Sequence, residues 1–83
     1  MKTYSFTLTL AGVDVLTPEM GDALELAGCD DATSSSRNGV VSVAFDRESS
    51  SIGAAIDSAI ENVERAGYQV AEIKVAMMVG AAG

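Results

Sequence analysis

A chain of 83 residues with 48% hydrophobic content makes one folded domain around a single modest core rather than two domains or a disordered chain. Twelve acidic side chains against five basic ones leave a net charge of −7, which repels nucleic acid and anionic membrane surfaces and points to a basic partner. There is no histidine, the single cysteine excludes an internal disulfide, and no run approaches the ~20 apolar residues of a membrane span.

Residues 3–10 alternate strictly, with Tyr4, Phe6, Leu8 and Leu10 on one face and Thr3, Ser5, Thr7 and Thr9 on the other, the pattern of a half-buried strand. Ala11-Gly12-Val13 leads out of it. A helix is expected over residues 17–27: Thr17 is a good N-cap, Pro18 fits the first helical position, and Met20, Ala23, Leu24 and Ala27 recur at helical spacing before Gly28. Residues 29–36 read as a weak strand, rich in Ser and Asp. Asn38-Gly39 then favours a type I′ hairpin turn, which needs positive φ at both central residues. Residues 40–45 return as a strand with Val41, Val43 and Phe45 inward. Ser49, Ser50 and Ser51 offer caps for a second helix, in which Ile52, Ile56, Ala59, Ile60 and Val63 form the apolar stripe while Asp57, Glu61, Glu64 and Arg65 point outward. Gly67 ends it. A last strand is expected over residues 68–77, with Ala71, Ile73, Val75 and Met77 inward against Val70, Glu72 and Lys74, and residues 78–83 are expected to be a flexible tail after an ordered core of about 3–77.

The order strand, helix, strand, strand, helix, strand, with right-handed crossovers, places both helices on one face of a four-stranded antiparallel sheet. The expected fold class is α+β, the ferredoxin-like βαββαβ arrangement. The N-terminal Met1-Lys2-Thr3-Tyr4-Ser5 has no signal-peptide apolar block, so the expected compartment is the cytoplasm.

Enzymatic chemistry finds few candidate groups. The usual general base at neutral pH is missing, and Cys29, beside Asp30 and Asp31, reads as a small buried filler whose neighbouring carboxylates raise its pKa. Asp30-Asp31 matches no cation-loop spacing, and Gly12 and Gly21 form no phosphate loop; neither cofactor nor metal is expected. The open sheet face, with Thr3, Ser5, Thr7, Thr9, Ser42, Glu72 and Lys74, lacks the exposed aromatics on which bases stack, so direct nucleic-acid binding is not expected.

The acids are the remaining signal. Asp14, Glu19, Asp22, Glu25, Asp30 and Asp31 all fall in a stretch where residues 3–36 contain no Lys or Arg. On the first helix Glu19, Asp22 and Glu25 step by three, a rise of about 4.5 Å each, and present charge in a ladder like that of a phosphate strand. Asp57, Glu61 and Glu64 make a second ladder on the other helix, on the same side of the sheet. Outward helix faces are commonly charged for solubility alone, but such surfaces mix signs, and the first helix has no base. These nine carboxylates are the expected partner-binding set.

Three segments, Ala27-Gly28-Cys29-Asp30-Asp31-Ala32, Phe45-Asp46-Arg47-Glu48 and Ser58-Ala59-Ile60-Glu61-Asn62-Val63-Glu64-Arg65-Ala66-Gly67, resemble a small bacterial module that in longer relatives precedes a helix-turn-helix DNA-binding domain. The similarity spans roughly residues 4–75, and the sequence stops where that DNA-binding part would begin. A compact, acidic chain of this size and architecture is also similar to phage-encoded anti-CRISPR proteins that inhibit type I interference complexes. That resemblance implies a monomeric, non-catalytic DNA mimic whose acids occupy the basic site where a Cas subunit reads the protospacer-adjacent motif. The alternative is a regulatory or antitoxin-like interaction module, or a small-molecule sensor of the amino-acid-binding type with Ala11-Gly12-Val13-Asp14 as its ligand loop.

Overall fold

The computed structural model describes residues 2–75. In chain order these form β1 (Lys2–Ala11), α1 (Pro18–Leu26), β2 (Ala32–Arg37), β3 (Val40–Ser49), α2 (Ile52–Arg65) and β4 (Gln69–Val75). All paired strands are antiparallel, in the order β2-β3-β1-β4. Each strand-helix-strand unit is therefore split: β3 lies between β1 and β2, and β1 lies between β3 and β4. The expected residues 78–83 tail and the inward Met77 lie outside the described residues.

Strand parity builds the core. Phe6, Leu8 and Leu10 of β1 and Val41, Val43 and Phe45 of β3 are all buried, and register pairs Phe6 with Phe45 and Leu8 with Val43 on one face. The Phe6 and Phe45 rings stack with centroids 5.3 Å apart. Met20 and Leu24 of α1 and Ala55, Ala59 and Val63 of α2 enter the same cluster, so both helices cover that face. The helix starts follow the sequence: Thr17 and Ser51 cap α1 and α2, their hydroxyls accepting from the backbone N–H of Met20 and Ala54. Asn38 at φ 53° and Gly39 at φ 77° make the hairpin turn between β2 and β3.

Three expectations shift in detail. The buried centre of α2 is Ala55, Ala59 and Val63, with Ile52, Ile56 and Ile60 only half-buried on its flank; small residues at the centre let the helix approach the sheet closely, and the larger side chains fill the edge. β3 continues past Phe45 to Ser49, because its charged end is paired along β1: Asp46 stands opposite Ser5, whose hydroxyl donates to its carboxylate at 2.6 Å. In β4 the register slips between Thr9 and Leu10, leaving Ala71 as the extra, exposed residue and turning Val70 toward the core opposite Leu10, the reverse of the expected inward Ala71 and outward Val70. Beyond the bulge, Ile73 faces Leu8 and Val75 faces Phe6, on the expected side.

Candidate functional site

Eight of the nine predicted carboxylates are exposed: Asp14 in the β1–α1 connection, Glu19, Asp22 and Glu25 on α1, Asp30 in the α1–β2 connection, and Asp57, Glu61 and Glu64 on α2. On α1 the buried Met20, Leu24 and Ala27 define the inner side, and at about 100° per residue the three acids fall on the opposite half of the helix. Glu19 sits in the first turn, where the helix dipole favours it, and no base occupies the last turn. On α2 the three acids likewise lie away from Ala55, Ala59 and Val63. Both ladders therefore point outward from the same side of the sheet.

They do not form one unbroken anionic surface. The groove between the helices is lined by Ala23, Leu26 and Ala27 from the α1 side and Arg65 and Ala66 from the end of α2. Leu26 is 90% exposed there, and Arg65 donates to Glu61 at 3.1 Å. An apolar side chain and a cation thus divide the two ladders, and Glu61 has a counterion one turn away. That exposed pair is worth only a few tenths of a kcal/mol, ~0.3–0.5.

Asp31 departs most from the expectation of an uncompensated acid. Its carboxylate accepts two bonds from Arg47, at 2.8 Å from Nε and 2.9 Å from Nη2. The rest of the guanidinium is equally committed: Nη1 donates to Ser58 Oγ and Asn62 Oδ1 and Nη2 donates to the Gly28 carbonyl, each at 2.9 Å, so all five donors are used. The guanidinium carbon also lies 5.0 Å from the centroid of the Phe45 ring. With a side chain only 11% exposed, Arg47 joins β3, the α1–β2 connection and α2 through a single cation. The hydrogen bonds from Arg47 hold the Asp31 carboxyl below its ordinary pKa, while Asp31 in turn raises Arg47. Burial pushes the Cys29 thiol up, with Arg47 opposing and Asp31 and Asp30 adding to the rise.

Gly28 completes this junction. Its φ of +112° lies in the region that favours glycine, and a Cβ there would stand 2.9 Å from the Asn62 side chain. The three segments behind the sequence resemblance meet at this point: the first supplies Gly28 and Asp31, the second Phe45 and Arg47, the third Ser58 and Asn62.

The expected strand over residues 40–45 stops short of Arg47, whereas β3 runs on to Ser49 and carries it. The period of two, continued by one more step from Val41, Val43 and Phe45, already places Arg47 on the core face, where a cation requires a buried partner. Among the described residues no group of three or more His, Cys, Asp or Glu side chains could hold a metal ion, and no helix is long and apolar enough to cross a membrane. Fold and site together describe a small α+β protein with an acidic helical face mounted on an arginine-centred junction. Among known proteins, no family model, curated protein or solved structure matches this chain.

Proposed function

We propose that the chain is a non-catalytic acidic binding protein that inhibits a DNA-binding protein by charge mimicry, specifically an anti-CRISPR protein occluding the DNA- and PAM-binding site of a type I Cas subunit. The observation behind this reading is α1: Glu19, Asp22 and Glu25 are exposed on its outward half, free of any ion pair to a described residue and without a base on the helix. A duplex places one phosphate charge per about 3.4 Å along each strand, and a cleft built to grip it attracts a fixed row of carboxylates at comparable spacing. Asp14 and Asp30 extend the row, and Asp57 and Glu64 add charge across the groove. Asp31 belongs to the scaffold rather than to the contact surface, since engaging a partner would require it to leave Arg47.

The fold label ferredoxin-like, kinship with the module that precedes helix-turn-helix domains, and a site of action in the bacterial cytoplasm belong to the same proposal. A single copy suffices for occlusion. The test is competition between the protein and PAM-containing duplex DNA for a purified type I interference complex. Asp22→Lys with Glu25→Lys abolishes competition at unchanged helical content, and raised salt weakens the wild-type complex. Binding by the double variant at wild-type strength would remove the proposal.

A second reading is favoured by the groove itself. Leu26, exposed beside Ala23, Ala27 and Arg65, suits a regulatory or antitoxin-like partner whose apolar side chain enters between the helices. Leu26→Asp would then abolish binding where the charge reversals on α1 would not.

A further inference from the structure

Among the described residues β2 and β4 are the two edges of the sheet, and they differ. β2 is Ala32-Thr33-Ser34-Ser35-Ser36-Arg37, polar along nearly its whole length, whereas β4 presents Ile73 and Val75 on the helix-covered face, 43% and 47% exposed. The flank of α2 turned away from Ser58 and Asn62, which face Arg47, carries the half-buried Ile56 and Ile60 and borders the same side of the molecule. A lysine on an edge strand ordinarily discourages pairing. Here Lys74 is separated from Glu72 by one residue, Ile73, and that spacing changes the outcome.

We propose that β4 pairs antiparallel with β4 of a second copy of this chain in a two-fold dimer centred on Ile73. In that register Ile73 stands opposite its own counterpart, and each Glu72 stands opposite the Lys74 of the other copy. The edge is therefore self-complementary, as a two-fold interface requires. Sliding the register by two residues sets Glu72 against Glu72 or Lys74 against Lys74, and sliding it by one turns the apolar side chains to the wrong face. The two-fold axis runs perpendicular to the sheet, so the pair forms one eight-stranded sheet with all four helices on one side. Both acidic faces then point the same way, and Ile73 and Val75 of the two copies meet between the α2 helices. A stable interface buries about 800 Å² per partner. A ladder of residues 71–75 alone falls short of that, so the apolar seam is part of the contact and the affinity is of about micromolar strength.

This pairing is independent of the partner proposed above. Its test is sedimentation velocity over a concentration series spanning the micromolar range, in which the wild type passes from monomer to dimer. Glu72→Lys and Lys74→Glu each place like charges opposite one another twice and raise the dissociation constant about ten-fold or more. An equimolar mixture of the two variants forms a heterodimer, and the double exchange, E72K with K74E, restores the wild-type dimer. Thermal melts of each variant show that the fold is kept. A wild type that stays monomeric, or a dimer indifferent to these exchanges, overturns the proposal. So does concentration-independent protection from hydrogen exchange of the β4 amides that point away from β1, which would assign the edge to another part of the same chain.

Discussion

Asp31 and Asp22 are acids of the same cluster in the sequence, nine positions apart, and the structure gives them opposite surroundings. Asp31 is clamped by a nearly buried guanidinium that also binds a backbone carbonyl and two α2 side chains, whereas Asp22 stands on the outer half of α1 with no ion pair to a described residue. Charge density along a chain therefore does not measure charge density on a surface. The partner that neutralises Asp31 lies sixteen residues away, on a strand that reaches it only through the fold.

Breaking the clamped side has the largest expected effect. Arg47→Ala strips the partners from Asp31, Ser58, Asn62 and the Gly28 carbonyl together and costs about 3 kcal/mol, a fall in Tm of more than about 10 °C for a domain of this size. Thermal or urea unfolding measures it. Because Arg47 depresses the Asp31 pKa below the ordinary 3.8, the pair adds stability above that value and loses it as pH falls through the lower, folded-state one. The difference between wild type and Arg47→Ala is thus full at neutral pH and narrows only in the acid range. A gap that stays constant down to acid unfolding would show that Asp31 is not the main partner.

Gly28→Ala comes next, at about 2 kcal/mol, since it combines a strained φ of +112° with a Cβ set against Asn62. Gly12→Ala is its control. Gly12 also has positive φ, at +76°, but nothing within 4 Å, so that variant isolates the backbone contribution at about 1 kcal/mol. Equal losses for the two would mean that the Asn62 contact yields without cost.

Much of the fold was legible because each element has a local cause. Alternation fixed the buried faces of β1 and β3, Thr17 and Ser51 marked the helix starts, and Asn38-Gly39 placed the hairpin. What escaped was set by contacts distant in sequence. The charged end of β3 reads as a loop until its pairing with β1 is known, and the β4 bulge changes the facing of Val70 and Ala71 through a register that no single strand contains. For the candidate site, the acids of α1 were legible as a helical face. The neutralisation of Asp31, and the Leu26 and Arg65 seam between the two ladders, depend on how α1, α2 and β3 meet.

The smallest expected effect separates the two kinds of acid by sign. Glu25 lies in the last turn of α1, at the negative end of the helix dipole, where a carboxylate is unfavourable and a base would be favourable. Glu25→Lys therefore raises stability by about 0.3–0.5 kcal/mol, readable as a small rise in Tm, while Glu19→Lys in the first turn lowers it by a similar amount. Both variants weaken binding to a basic cleft if the α1 face is the contact surface, so stability and binding move in opposite directions at position 25 and together at position 19. That pattern is the one the proposed contact role of Glu25 requires. A loss of stability on Glu25→Lys would instead make Glu25 a scaffold acid, like Asp31.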